Sequence, residues 1–247
     1  MYNRNYIQND SNNSSSNFQN DFANDEQGFT GASRSKNETM TFLKATYQLF
    51  AGSLMGAAAG AYVGLGILPY IMGAMFWVLV IMEFGLIFAI RATAKKPGIN
   101  LMVLFAFTFI SGMTLAPLLA SFLHTSAGAG IVANAFILTS VAFGGISMFA
   151  LTTKKDYTGM TKMLYITLII VVVASVINIF THSPLFQLVI SSVSAILFSA
   201  YILHDTQHIV KGNIETPVEA CLMLYLDFLN LFVSLLHILG VMNNNDD

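Results

Sequence analysis

The chain opens polar and then turns apolar for nearly all of its remaining length. Residues 1 to about 40 are rich in Asn, Ser, Gln and Asp, as in SNNSSSNFQNDF. Such a segment buries too little apolar surface to offset its ordering entropy, and predicts a disordered polar tail over 1–40. Seven apolar segments follow, at about 45–68, 69–91, 99–123, 127–151, 160–180, 184–203 and 217–240. Each is roughly 20 to 25 residues, long enough to cross the hydrocarbon core as a helix. The pattern predicts an all-α polytopic membrane protein: a seven-helix bundle over 41–242, then a short acidic end at 243–247. Pro69, Pro184 and Pro217 each stand at the start of a span, where the missing N–H costs no helical bond. Pro117 lies inside one, and predicts a kink in the third helix.

Composition agrees with that class. Of 247 residues, 55% are hydrophobic and only 10% charged, with mean hydropathy +0.66. A soluble domain is about a quarter charged, so the bilayer is the expected surrounding. No basic stripe offers a nucleic-acid partner a footprint. No charged start with an apolar stretch and small-residue cleavage site is present, so no secretory signal is expected. Cys221 is the single cysteine. It makes no intramolecular disulfide or cysteine-based metal site, and reads as a small packing residue.

The cations set an orientation. Arg4, Arg34, Lys36 and Lys44 precede or open the first span. Arg91, Lys95 and Lys96 fall between the second and third, Lys154, Lys155 and Lys162 between the fourth and fifth, and Lys211 between the sixth and seventh. The alternate connections, GILPYI, HTSAGAG and THSP, carry no Lys or Arg. Positive charge marks the cytoplasmic side. The expected topology is therefore a cytoplasmic N-terminus and an exterior C-terminus. Gly52, Gly56, Gly60 and Gly64 form a small-residue stripe on the first helix, expected to pack closely inside the bundle. No internal repeat is evident, which weakens an inverted-repeat transporter reading.

Three acidic residues change the picture. Glu83 and Asp227 interrupt apolar stretches, VLVIMEFGLIFAI and LMLYLDFLNLFVSLL, and Asp205 ends the run SSVSAILFSAYILHD. A carboxylate in hydrocarbon costs a few kcal/mol or more, so its default reading is a functional site facing the bundle interior. Asp227 and Glu83 lie at similar depths, about 15 Å and 12 Å from the cytoplasmic ends of their helices. With a symmetric turn, Asp205 falls opposite Cys221; if the sixth helix continues through Ile209, the two aspartates can meet. Ionised carboxylates repel strongly in a low-dielectric site, so a close pair shares a proton and titrates as a unit. Such a pair suits a pH sensor, or an oxygen site for a hard cation such as Ca²⁺. The alternative is that each carboxyl stays protonated and hydrogen-bonds a neighbouring helix. His204 and His208 share a helical face beside Asp205 and are candidates for tuning it. Glu215 and Glu219 complement the dipole at the start of the seventh helix and could also draw cations to an inner mouth. Arg91 is the nearest cation that could snorkel inward. His124, His182 and His237 fall near the outer ends of separate helices, a spacing that does not require a metal site. Asn178 and Asn230 read as interhelical hydrogen bonders.

The segment AILFSAYILHDTQHIVKG, followed by PVEACLMLYLDFLNLFVSLLHILG, resembles the C-terminal signature of the Bax inhibitor motif family, in its bacterial YccA-like branch. The likeness spans roughly residues 40–240. His204 stands where many members carry Tyr. The resemblance implies a bundle with the seventh helix surrounded by the other six, in a bacterial inner membrane. It implies a pH-sensitive Ca²⁺ leak, with Asp205 and Asp227 as the paired aspartates that couple protonation to pore opening. Glu83 and Arg91 would match the acidic and basic positions of the second helix that contact the pair. YccA-like relatives are associated with a membrane AAA protease, a partner the polar tail could meet. No cofactor is implied; Ca²⁺ enters only as a transported ion.

Two other functions compete. An intramembrane aspartyl protease also pairs aspartates on consecutive helices, but it carries Gly-x-Gly-Asp, and here Leu224, Tyr225 and Leu226 precede Asp227. A non-conducting regulator that binds a membrane protease is compatible with every residue. A rhomboid-like serine protease is disfavoured, since no Gly-x-Ser-x-Gly occurs.

Overall fold

Seven long helices make up the molecule in a computed structural model that describes residues 35–244. They are α1 (Lys36–Gly66), α2 (Ala74–Ala92), α3 (Pro97–Leu123), α4 (Gly128–Thr152), α5 (Thr161–Thr181), α6 (Pro184–Val210) and α7 (Pro217–Asn244). All seven are long and apolar enough to cross a membrane, and the described residues contain no strand. Residues 1–34, most of the expected polar tail, and residues 245–247 lie outside the described residues.

Three boundaries differ from the hydropathy reading, each for a local reason. The first helix begins at Lys36, inside the segment read as tail. Ser35 caps it: its hydroxyl accepts from the Glu38 N–H, and the Glu38 carboxylate accepts from the Ser35 N–H at 2.8 Å. This capping box is written in the sequence as Ser-x-x-Glu, and satisfies two of the helix's orphan donors. The second span is split. Pro69 sits in a one-turn helix, Leu68–Ile71, and α2 starts only after Gly73, whose φ of 84° turns the chain. The sixth helix runs on to Val210, where Lys211 closes it. α3 continues through Pro117.

The helices pack through small residues where backbones must approach. α1 and α3 form the most extensive helix pair. On α1, Gly52 faces the Phe105 ring and Gly56 the Thr108 hydroxyl. A Cβ at Gly60 would lie 1.9 Å from the Phe109 carbonyl oxygen, and one at Gly64 would lie 2.7 Å from Ala116 Cβ. α3 answers with Gly112, where a Cβ would lie 2.0 Å from the Ala57 carbonyl oxygen. The two helices therefore touch backbone to backbone in both directions, a contact only glycine allows.

α7 is the central helix. Half of its apolar window is buried (50%), against 11% for the peripheral α2. Tyr225, Leu224 and Leu236 on it are fully enclosed. It contacts α1, α2, α3, α4 and α6 but not α5, which packs on α6 alone among the long helices. The surround is thus incomplete, and the gap between α5 and α7 shapes the site below.

Candidate functional site

The extension of α6 to Val210 holds Asp205 within a continuous helix. Across the turn into α7, Asp227 lies about 15 Å along that helix. The two carboxyl groups line one cavity and lie close enough to interact electrostatically. Both residues are buried, at 6% and 5% exposure. Asp227 Oδ2 is enclosed and has no hydrogen-bond partner among the described residues. A buried carboxylate oxygen without a donor is costly, so the arrangement calls for a proton or a cation at that atom.

His204 binds the same group from the other side. Its Nδ1 lies 2.6 Å from Asp205 Oδ1, and its Nε2 lies 2.8 Å from the Thr161 hydroxyl at the start of α5. His208 packs against it, with ring centroids 4.3 Å apart and the ring planes tilted by 41°. Tyr201, one turn back on α6, and Arg91, from the end of α2, line the same cavity as the two aspartates. Arg91 is largely exposed, and its Nε lies 4.0 Å from Glu219 Oε1. Glu219 is therefore engaged by a cation at the start of α7, and its N–H is capped by the Thr216 hydroxyl at 3.2 Å. Glu215 lies exposed in the connection before α7.

Glu83 stands apart. Its carboxylate accepts from the Thr114 hydroxyl. Thr114 also bonds the Ser111 carbonyl, and the Ser111 hydroxyl accepts from the Tyr225 hydroxyl at 3.1 Å. The cluster ties α2 and α3 to α7 by another face. Glu83 does not line the cavity that Asp205 and Asp227 share.

Two features went unseen in the sequence. One is Gln207, which clamps the α4–α5 connection onto α6: its Oε1 accepts from the Tyr157 N–H at 2.7 Å, and its Nε2 donates to the Lys155 carbonyl at 2.8 Å. Beside it, Lys211 Nζ lies 2.6 Å from Asp156 Oδ1. Hydrogen bonds from Lys211 and then from Thr158 hold the Asp156 carboxyl well below the usual carboxylate range. A lowered carboxyl contributes its full stabilisation above the ordinary value near 3.9, and loses it only as pH falls below that. Asp156 is therefore charged throughout mild acid and is not a sensor there. Replacing Gln207 by Ala should cost about 1 kcal/mol per lost bond. Amide exchange at Tyr157 should quicken while the bundle stays folded, and unchanged exchange would reject the clamp.

The other unseen feature is a cavity of about 650 Å³ between α5, α6 and α7, with the aspartate pair at one end. Its polar residues recur every three or four positions, a helical-face signal that hydropathy averages away.

Comparison with known proteins gives a consistent result. The profile of the family described as "Inhibitor of apoptosis-promoting Bax1" matches residues 39–245. An uncharacterised protein of Campylobacter jejuni is 53% identical over 211 residues, covering 84% of this chain and 91% of the relative. The Escherichia coli K12 protein named "Modulator of FtsH protease YccA" is 38% identical over 158 residues, 64% of this chain and 71% of its own length. A Golgi anti-apoptotic protein of vaccinia virus is 31% identical, over 87% of this chain and 92% of its own.

Proposed function

This chain belongs to the family of Bax1 inhibitors, and on that premise we propose that it is a pH-sensitive Ca²⁺ leak of the bacterial inner membrane, gated by Asp205 and Asp227. It is an integral membrane protein, and a relative in Escherichia coli is named an inner membrane protein. The observation that carries the reading is the buried carboxyl pair with an unpartnered Asp227 Oδ2 at the end of a cavity with polar and apolar walls. Carboxylate oxygens suit a hard cation such as Ca²⁺. Protons compete for the same oxygens, so acidity and the ion oppose one another at one site. Each charge state favours a different packing of α6 against α7, which gives the pair its gating role. His204, joined to both Asp205 and α5, is the tuning residue, and Arg91 with Glu219 forms the inner mouth. The lysine-bearing connections face the cytoplasm in this reading. The protein carries out no covalent chemistry.

The test is Ca²⁺ flux in reconstituted liposomes across a pH series, with Asp205→Asn beside the wild type. Flux that varies with pH in the wild type and loses that variation in Asp205→Asn supports the gate. Flux no greater than in empty liposomes at every pH removes the channel.

A second reading is a non-conducting regulator of a membrane AAA protease. The name of the Escherichia coli relative favours it. Co-purification with such a protease that persists in Asp205→Asn and Asp227→Asn, without any flux in the wild type, would select it.

A further inference from the structure

We infer that the cavity between the first turns of α1 and the last turns of α4 and α6 seats one anionic phospholipid, with its phosphate on Lys36 and Lys44. This site is distinct from the aspartate cavity, and it stands or falls independently of the channel reading.

The packing of α1 opens the space. α1 lies along α3 and touches α6 little, while aromatic rings bridge it to α4: Phe143 stacks on Phe50 at 4.6 Å and meets Tyr47 edge to face at 6.4 Å. Toward the start of α1 from those rings lies a cavity of about 900 Å³.

Three observations point to its occupant. The first is charge. Lys36 and Lys44 line the cavity, and no carboxylate does. Glu38, the one acidic residue of α1, is turned to the Ser35 N–H. Lys211, which closes α6, is held by Asp156 and is not part of the wall. Thr39 and Thr41 add only hydroxyls, and that of Thr41 donates to the Asn37 carbonyl at 3.0 Å. The full charges on the wall are therefore positive, and lysine stems are long enough to bring both to headgroup level.

The second is an unspent donor. Tyr47 lines the same cavity about 16 Å along α1 from Lys36. Its hydroxyl is enclosed and has no hydrogen-bond partner among the described residues. A buried hydroxyl calls for an acceptor, and the ester carbonyls of a glycerolipid are acceptors. The third is the remainder of the wall, which is apolar: Met40 and Leu43 from α1, Leu151 from α4 and Val210 from α6. A free phosphate would leave that surface bare, whereas an acyl chain covers it. The cavity also lies at the lysine-bearing end of the bundle, and basic pockets between spans at that face take anionic headgroups.

Native mass spectrometry of the full chain in detergent tests this by counting bound lipids. Phosphatidylglycerol is titrated against phosphatidylcholine with the same acyl chains, and glycerol phosphate supplies the same phosphate from water. The first phosphatidylglycerol should bind at least about tenfold tighter than phosphatidylcholine, since each lysine beside an anionic group contributes roughly fivefold. Lys36→Gln combined with Lys44→Gln should reduce that preference to about twofold or less. Tyr47→Phe should weaken both lipids alike, by about fivefold, because both carry ester carbonyls. Lys154→Gln combined with Lys162→Gln removes equal charge from the same end of the bundle, outside the cavity, and should leave the preference intact. All four lysines are exposed and Tyr47→Phe keeps its ring, so each variant should melt as the wild type does. Equal binding of the two lipids by the full chain would overturn the inference, whether the cavity is then empty or taken by Asp21, Asp25 and Glu26 of the chain's own N-terminal segment. Equal losses in the two lysine pairs would mean diffuse attraction and no seat. Unchanged binding in Tyr47→Phe would put the lipid outside this cavity. Displacement of the lipid by glycerol phosphate would make the ligand a water-borne phosphate and overturn the lipid assignment.

Discussion

Asp227→Asn is expected to flatten the pH dependence of Ca²⁺ flux while leaving the bundle folded. Asp227 is 5% exposed, and its carboxyl shares a cavity with that of Asp205. Two unit charges about 4 Å apart repel by about 4 kcal/mol even at an effective dielectric of about 20. An energy of that size shifts a two-state equilibrium by about a thousandfold, enough to select between two packings of α6 on α7. Asparagine keeps the shape of the side chain but cannot be ionised, and its amide can donate to the Asp205 carboxylate. The variant is thereby fixed in the state with one charge fewer, and its flux should no longer follow acidity. The same liposome series reads the outcome. A variant whose flux tracks pH as the wild type does would place the sensor elsewhere.

The second large effect is structural. Gly60→Ala should destabilise the bundle by about 3 kcal/mol or more, beyond ordinary overpacking of about 1–3 kcal/mol. The added Cβ would stand 1.9 Å from the Phe109 carbonyl oxygen and 2.8 Å from its carbon. These are backbone atoms of a helix, so no side chain can swing aside and α1 must part from α3. Gly85→Ala is the control: nothing lies within 4 Å of a Cβ there, and alanine favours a helix over glycine by up to about 1 kcal/mol. Thermal unfolding in detergent should separate the two, with Gly60→Ala melting well below the wild type and Gly85→Ala at or slightly above it. Equal melting temperatures would mean that α1 and α3 do not rely on the glycine contact.

The spans follow from the apolar runs alone, because hydrocarbon requires about 20 apolar residues per crossing and satisfies no stray backbone group. The start of α1 was missed although Ser35 and Glu38 spell a capping box, because hydropathy averages over the polar residues of its first turns. Acidic residues stood out for the same reason as the spans: charge is expensive there. Partners were another matter. Asp205 closed an apolar run and Glu83 interrupted one, and neither position named its neighbours; Asp205 shares a cavity with Asp227 while Glu83 turns to Thr114. That choice depends on the rotation of α2 about its axis and on how far α6 continues past residue 203, neither of which hydropathy encodes. The glycine stripe announced a close approach; which helix it would meet was fixed only when α3 presented Gly112 to Ala57.

What the sequence determined by itself is the class, the number of crossings and the positions where polarity is costly, since each is a one-dimensional consequence of immersing a chain in lipid. What the tertiary structure decided is which costly groups share a space. α5 stands off α7, a crevice opens between them, and its polar rows converge on Asp205 and Asp227. The physical reason is that hydrophobicity acts on every residue independently, whereas hydrogen bonds and charge act over a few ångströms and exist only once helices are docked.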